Sequence, residues 1–146
     1  MDFLWDTNVL LHRIRKSSSF EELEQRFHFT NNDNRLFLSI ISVGEIESLA
    51  YQLNWGNEKW ESLEKILRSI SLLGIYEETI HAYARIDAYS QGKLRDAPLP
   101  SGITSRNMGK NDLWLAATAH VGNFHFVTND RDFDHLDQVF LNVVKY

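Results

Sequence analysis

The chain has 146 residues, of which 43% are hydrophobic and 24% charged, a balance that indicates one folded domain and excludes a disordered chain. Cysteine is absent, no apolar run reaches transmembrane length, and the formal net charge of -5 excludes a uniformly basic nucleic-acid surface. We therefore expect a single domain over residues 1–146 of a cytoplasmic protein that does not associate with membranes.

Strands alternate with helices along the first half of the sequence. The hydrophobic periodicity indicates, in order, a strand at 3–5, a helix from Val9, a helix at 20–27, a strand at 36–41 and a helix from about Ser42 to Asn54. Asp6 or Thr7 is placed to cap the first of these helices. Ser42 and Glu45 have the spacing of a capping box.

The second half continues in the same way around one irregular segment. We predict a helix at 57–72, a short strand at 75–76, a helix from 78 to about 93, a helix through 112–120, a strand at 124–127, a single turn at 133–136 and a strand at 139–144. Residues 96–110 contain both prolines and have no helical or strand period. We therefore predict a loop on one side of the functional site.

This order of elements predicts the fold class. Strands that alternate with helices through short connections indicate a three-layer α/β/α sandwich around a mainly parallel sheet. The carboxyl ends of parallel strands lie along one edge, where open α/β sheets bind their ligands. Asp6 directly follows the first strand and Asp130 follows the strand at 124–127, so both are expected at that edge. Glu45 and Asp112 lie in comparable places at the starts of helices.

Four carboxylates at one edge indicate a metal site. Two such charges about 5 Å apart repel by roughly 3 kcal/mol at an effective dielectric constant of about 20, so the cluster requires protonation or a bound cation. No histidine has metal-ligand spacing, and an all-oxygen site suits Mg²⁺ or Mn²⁺. Such an ion activates water for phosphodiester hydrolysis. The predicted catalytic and metal-binding residues are Asp6, Glu45, Asp112 and Asp130.

Each acid also has a structural explanation. Asp6 has the position of a helix cap, Glu45 that of a capping-box acid, Asp112 that of a first-turn acid after an Asn111 cap, and Asp130 that of a turn residue. Considered one at a time, Glu45 and Asp112 are explained better by a structural role than by a catalytic one. All four acids are nevertheless expected at the same edge of the sheet, which favours a functional site.

Supporting residues are predicted around these acids. Asn8 and Thr128 are placed to orient carboxylates or water, and Asp132 is a further candidate in the acid-rich loop. Residues 92–110 carry a net charge of +3 and residues 128–137 one of -3, a distribution that suits a polyanionic substrate beside a metal site. The candidate phosphate contacts are Arg13, Arg15, Lys16, Arg106 and Lys110.

Four blocks of the sequence resemble the signature of the PIN domain, in the form found in VapC-type toxins. The blocks are Asp6-Thr7-Asn8-Val9-Leu10, Ser39-Ile40-Ile41-Ser42-Val43-Gly44-Glu45, Asn111-Asp112-Leu113-Trp114-Leu115-Ala116-Ala117-Thr118-Ala119 and Val127-Thr128-Asn129-Asp130-Arg131-Asp132-Phe133. They occur in the family's order and span nearly the whole chain. The long basic loop at 92–110 departs from the shorter members and bears on the choice of substrate.

The resemblance implies a metal-dependent endoribonuclease that is the toxin of a toxin–antitoxin pair, with Mg²⁺ or Mn²⁺ held by the four acids. It also implies a homodimer and a small antitoxin whose carboxyl-terminal tail covers the site. Apolar surface for that tail is available between residues 49 and 72, at Tyr51, Trp55 and Trp60, unless these aromatic residues belong to the core or to the dimer contact.

Two other functions are open at this point. A PIN-like module without catalysis would serve only to bind RNA or protein, and the presence of all four acids argues against it. A phosphoryl-transfer enzyme with Asp6 as nucleophile would need a second aspartate two residues further on, where this sequence has Asn8.

Overall fold

The computed structural model describes residues 1–146, which form five strands, six α-helices and one 3-10 helix. The strands are β1 (Asp2–Trp5), β2 (Arg35–Ser39), β3 (Ser71–Leu73), β4 (His125–Val127) and β5 (Asn142–Val144). The helices are α1 (Thr7–Ile14), α2 (Ser18–Phe27), α3 (Ile40–Gln52), α4 (Asn57–Ser69), α5 (Glu77–Ser90) and α6 (Lys110–Val121), with the 3-10 helix at Arg131–Leu136. None of the helices has both the length and the apolar character needed to span a bilayer.

All five strands are parallel and form one sheet in the order β3-β2-β1-β4-β5. The chain builds outward from β1 through β2 and β3, then returns to the other side of β1 with β4 and β5. This reversal leaves a crevice at the carboxyl ends of β1 and β4. There the Asp6 N–H donates to the Val127 carbonyl at 3.0 Å. The predicted α/β sandwich with a parallel sheet is confirmed.

The strands are apolar because helices cover both faces of the sheet. Successive residues of β1 point to opposite faces. Phe3 and Trp5 therefore pack in one buried cluster with residues of α1, α2 and α4, whereas Leu4 packs in the other with Phe126 and α6. Each cluster contains 15 buried residues, so the crevice is supported from both sides.

Helix α3 begins earlier than predicted and has a different cap. β2 ends at Ser39 rather than Ile41, and the Ser39 hydroxyl accepts a hydrogen bond from the Ile41 N–H at 3.1 Å. The predicted capping box of Ser42 and Glu45 is therefore wrong, because both residues lie inside the helix. The side chain of Glu45 is left available for a contact with α1.

Helix α4 ends sooner than predicted. Ile70 is extended, with φ of -122° and ψ of 142°, so the helix stops at Ser69. The following strand pairs with β2 at residues 71–73, and the strand predicted at 75–76 is wrong because Tyr76 is the N-cap residue of α5.

Two later boundaries also differ from the prediction. Helix α5 ends at Ser90 rather than about Lys93, because Gly92 has a φ of +72° and turns the chain away. The last strand begins at Asn142 rather than at residue 139, because the N–H groups of residues 139–141 all bond to the Leu136 carbonyl.

The predicted loop between α5 and α6 is confirmed, with no helix or strand between Ser90 and Lys110. The Arg106 N–H donates to the Ser90 carbonyl at 2.8 Å, and Asp96 forms a 2.7 Å salt bridge with Arg85 of α5. These contacts hold the loop against α5. The loop ends where α6 begins, at Lys110.

Candidate functional site

Asp6 lies at the carboxyl end of β1 and is buried, with 5% of its surface exposed. It occupies the N-cap position of α1, which begins at Thr7 rather than at Val9 as predicted, yet its side chain makes no capping hydrogen bond. Its Oδ2 instead accepts a hydrogen bond from the Thr128 hydroxyl at 2.6 Å. The carboxylate is therefore held by Thr128, the residue that follows β4, and the N–H groups of Thr7 and Asn8 at the start of α1 also lower its pKa.

Glu45 faces α1 from within α3. The Thr7 hydroxyl lies 3.0 Å from Glu45 Oε1 and 3.0 Å from the Ser42 hydroxyl. Because a hydroxyl has a single hydrogen, we assign the Thr7 donation to the carboxylate, with Ser42 donating to the Thr7 oxygen. A chain of two hydroxyls thus orients Glu45 toward the crevice side of α1.

Asp112 lies in the first turn of α6 and is half-buried. The N-cap residue of this helix is Gly109, so the predicted Asn111 cap is wrong. A Cβ atom at Gly109 would lie 3.2 Å from Asp112 Oδ2. A side chain at this position would therefore require the Asp112 carboxylate to move by a few tenths of an ångström.

Asp130 is the N-cap residue of the 3-10 helix that follows β4. Its Oδ1 accepts a hydrogen bond from the Asp132 N–H at 2.8 Å, and its own N–H donates to Thr128 Oγ1 at 3.1 Å. One carboxylate oxygen from each of Asp112, Asp130 and Asp132 lies within 4.8 Å of the other two. Asp132 thus belongs to the acidic cluster, although the sequence places it only among the supporting residues.

The charges of these acids act on one another. Burial raises the pKa of Asp6, against the opposing hydrogen bond from Thr128. The pKa of Asp112 is raised to about 6, first by burial and then by the negative charges of Asp130, Asp6, Glu45 and Asp132. All four of these carboxylates are therefore close enough to repel a charge on Asp112.

The chemistry of the donors fits a hard divalent cation. Every candidate ligand atom in the cluster is a carboxylate oxygen, the kind of ligand that Mg²⁺ and Mn²⁺ prefer. A cation among the carboxylates would offset the repulsion that raises the pKa of Asp112. The residues present therefore satisfy the requirements of such an ion in both ligand type and charge.

The other predicted residues fall in different places. The Thr128 hydroxyl donates to Asp6, whereas Asn8 lines the groove beside Glu45 and acts on Asp6 through its backbone N–H. This groove has a volume of about 650 Å³ and runs between α1 and α3 to Asn111.

Of the predicted cations, Arg106 lies in the loop that precedes α6 and Lys110 at the start of that helix. Lys110 is the first residue of the helix that carries Asp112, and the charge of Arg106 reaches His135 in the 3-10 helix. Arg13 and Lys16 instead line a separate cavity that none of the four acids reaches. Arg15 is exposed beyond α1.

The sequence patterns do not predict Lys145 and Tyr146 as neighbours of the site. The carbonyl of Val144, the last residue of β5, accepts a hydrogen bond from the Thr128 N–H at 3.1 Å. The Lys145 ammonium forms a 2.6 Å salt bridge with Asp134. The pKa of Tyr146 is raised to about 12 by burial and by the charge of Asp6. The carboxyl ends of parallel strands lie at one edge of the sheet, and this applies to β5 as well. The position of Lys145 and Tyr146 directly after β5 is therefore the feature of the sequence that could have predicted them near the site.

A parallel five-stranded sheet between helices, with carboxylates gathered at its switch point, defines a class of α/β protein with an oxygen-only candidate metal site. The family model of the PIN domain matches residues 3–139, and the chain belongs to this family.

Several solved structures share the fold. The chain is similar to VapBC2 from Rickettsia felis bound to a DNA fragment from its promoter, with a TM-score of 0.76 and 18% identity over 99% of this chain and 98% of that one. VapBC-1 from nontypeable Haemophilus influenzae gives a TM-score of 0.73 and 20% identity over 99% and 98% of the two chains.

A third similar structure is VapBC-5 from Mycobacterium tuberculosis, a member of the VapBC family of toxin–antitoxin systems. Its TM-score is 0.61, with 19% identity over 99% of this chain and 96% of that one. At these identities the likeness is one of fold. No curated protein matches the sequence significantly.

Proposed function

We propose that the chain is a metal-dependent endoribonuclease that acts as the toxin of a toxin–antitoxin pair. The observation that carries this proposal is the approach of oxygens from Asp112, Asp130 and Asp132 to within 4.8 Å at the carboxyl edge of the sheet. Membership of the PIN domain family supports it. The proposal treats residues 1–146 as one nuclease domain, because β1 and β5 belong to the same sheet. RNA as the substrate implies action in the cytoplasm.

Asp6, Glu45, Asp112 and Asp130 are the proposed metal-binding and catalytic residues, with Asp132 beside them. Mg²⁺ or Mn²⁺ held there would supply an acidic water and a counter-charge for the leaving oxygen of a phosphodiester. Because the pKa of Asp112 is about 6, its carboxyl is mostly ionised at neutral pH and available as a ligand. Thr128 keeps Asp6 in place through its 2.6 Å hydrogen bond.

The chain's own cations are proposed to bind and orient RNA. Lys110 is exposed in the first turn of α6, two residues before Asp112, and Arg106 lies in the basic loop that precedes it. Their charges would hold the phosphates on either side of the bond to be cut, next to the carboxylates. Arg13, Arg15 and Lys16 are assigned no direct contact with the reacting phosphate.

A small antitoxin and a homodimer are part of the proposal. The solved structures of similar fold include VapBC toxin–antitoxin assemblies, which supports an antitoxin partner here as well. The groove beside Glu45 is the proposed seat of the antitoxin tail, since it leads to the acids. Tyr51 is 77% exposed and contacts Trp60, and both belong to the proposed partner surface, whereas Trp55 is buried in the core.

The experiment that tests the proposal is a sequencing map of RNA 5′ ends after brief induced expression. Expression of the wild-type chain is expected to produce new ends at defined positions, and the Asp112→Asn variant at equal level is expected to produce none. New ends that appear equally with the variant would contradict the assignment of the acids. The absence of new ends with the wild-type chain would favour a binding module.

A further inference from the structure

Lys145 makes two contacts with the loop that carries Asp130 and Asp132. Its ammonium donates a hydrogen bond to the Asp130 carbonyl and forms a 2.6 Å salt bridge with Asp134 Oδ1. The two partners stand on either side of Asp132 in the sequence. A single side chain from the end of β5 therefore fastens both ends of the segment that contributes two of the three clustered carboxylates.

The backbone around Lys145 is itself held in place. The Thr128 N–H donates to the Val144 carbonyl at 3.1 Å, and Arg26 of α2 donates to the Lys145 carbonyl at 3.0 Å. The Tyr146 ring packs edge-on against His12 of α1, with 6.0 Å between the ring centroids. Three separate elements thus fix the direction in which Lys145 leaves the chain, so that its ammonium is preorganised for the loop.

We propose that Lys145 is a positioning residue that holds the Asp130–Asp134 segment in the conformation that binds the divalent cation. The inference rests on the proposed function, since it concerns the same site. It adds Lys145, which lies outside the four sequence blocks that resemble the family. Its side chain is positively charged, whereas the proposed metal ligands are negatively charged carboxylates.

The sign of Lys145's effect separates positioning from electrostatics. A positive charge beside the cluster repels a divalent cation, so its removal would tighten metal binding if charge alone mattered. Loss of the two contacts would free the loop and weaken metal binding, because residues that orient metal ligands typically contribute about 10- to 100-fold to affinity. The proposal requires that the second effect exceed the first.

The contacts of Lys145 are expected to add little to global stability. Its side chain is 39% exposed and that of Asp134 is 52% exposed, and pairs of this kind contribute about 0–1 kcal/mol. Lys145→Met keeps most of the aliphatic stem and all the backbone hydrogen bonds. The variant is therefore expected to fold, and its metal affinity can be compared directly with that of the wild type.

Arg131 provides a matched control. It lies between Asp130 and Asp132, is exposed, and forms no salt bridge. Arg131→Met removes the same charge from the same loop without removing a contact that holds it. Lys145→Arg tests rescue, since it retains a cation that can bond to both oxygens.

The test is titration calorimetry of the full chain with MnCl₂ and no RNA, together with thermal unfolding of each variant. Lys145→Met is expected to weaken Mn²⁺ binding at least about 10-fold, Arg131→Met to leave it equal or tighter, and Lys145→Arg to recover most of it. All variants are expected to unfold within a few degrees of the wild type in EDTA.

Equal or tighter Mn²⁺ binding by Lys145→Met would overturn the positioning role while leaving the proposed nuclease function intact. Equal weakening in Arg131→Met would also overturn it, because a substitution in the loop that removes neither contact of Lys145 would then have the same effect. If the wild-type chain bound no Mn²⁺, the proposed function would fail, and this inference with it.

Discussion

The hydroxyl of Thr128 donates a 2.6 Å hydrogen bond to Asp6, which lies 122 positions earlier in the chain, and both side chains are buried. The same hydroxyl oxygen accepts a hydrogen bond from the Asp130 N–H at 3.1 Å. One side chain thereby fixes the relative positions of the first and last of the four acids. The crevice between β1 and β4 is held together at the point where the proposed chemistry takes place.

Thr128→Val is expected to lower the free energy of unfolding by about 1–3 kcal/mol, because the buried Asp6 carboxylate loses a hydrogen-bond donor. The measurement is urea denaturation at pH 7 in EDTA. Thr128→Ser keeps the hydroxyl and is expected to lose much less.

Thr118 supplies the control for that experiment. It is also a buried threonine, but its hydroxyl donates to the Trp114 carbonyl of its own helix at 2.8 Å. Thr118→Val is expected to have a small effect on stability and none on Mn²⁺ affinity. If Thr128→Val and Thr118→Val had the same effects on stability and on Mn²⁺ affinity, the hydrogen bond from Thr128 to Asp6 would contribute to neither property.

The raised pKa of Asp112 predicts how stability depends on pH without a metal. In the folded chain this pKa is about 6, against 3.8 for an unperturbed aspartate, so the folded state favours the protonated form. The resulting contribution to stability is present below about pH 4 and is lost as the pH rises through about 6. Asp112→Asn removes this dependence and is expected to gain stability relative to the wild type as the pH is raised.

Unfolding curves of both proteins from pH 4 to pH 7.5 in EDTA test this expectation. Addition of Mn²⁺ at pH 7 is expected to reverse the difference, since only the wild type keeps the full set of charged ligands. Parallel pH profiles for the two proteins would contradict the raised pKa.

Lys110 is expected to contribute to RNA binding. Lys110→Ala is predicted to raise the KM for a short RNA several-fold and to reduce the salt dependence of binding, because one phosphate contact is lost. Arg15→Ala removes an exposed cation away from the acids and is the matched control. Steady-state cleavage rates at two salt concentrations distinguish the two variants. Equal changes in KM for Lys110→Ala and Arg15→Ala would mean that only the overall charge of the protein matters.

The order of the elements and the edge location of Asp6 and Asp130 follow from the sequence, because apolar strands followed directly by acids leave few alternatives. The ends of elements are set by contacts that no local pattern contains. The Ser39 cap displaced the start of α3, and Ile70 ended α4 through its extended backbone. Glu45 is free for the site only because the chain enters α3 earlier than the capping-box spacing predicts.

The membership of the acidic cluster was only partly predictable for a similar reason. Asp132 comes close to Asp112 and Asp130 because Asp130 caps the 3-10 helix through the Asp132 N–H, a local turn geometry that composition does not reveal. Lys145 and Tyr146 reach the site because β5 is parallel and ends at the same edge. The rule that places Asp6 and Asp130 at this edge holds for every strand of such a sheet.

Induced expression of the wild-type chain alone is expected to arrest bacterial growth, and co-expression of a small protein encoded beside it is expected to relieve the arrest. Growth curves with wild type and Asp112→Asn at matched soluble levels provide the measurement. Normal growth at high soluble expression of the wild type would contradict the toxin role and leave nuclease chemistry untouched.

The most direct test of the central claim is cleavage of RNA by purified protein with Mn²⁺ and with EDTA, for the wild type, Asp6→Asn and Asp112→Asn. Glu64→Gln, which changes an exposed acid paired with Arg68 on α4, serves as the control. We predict Mn²⁺-dependent cleavage by the wild type and the control, and none by the two site variants although both remain folded. Full activity in either folded site variant, or equal cleavage in EDTA, would contradict the claim that these carboxylates hold a catalytic metal.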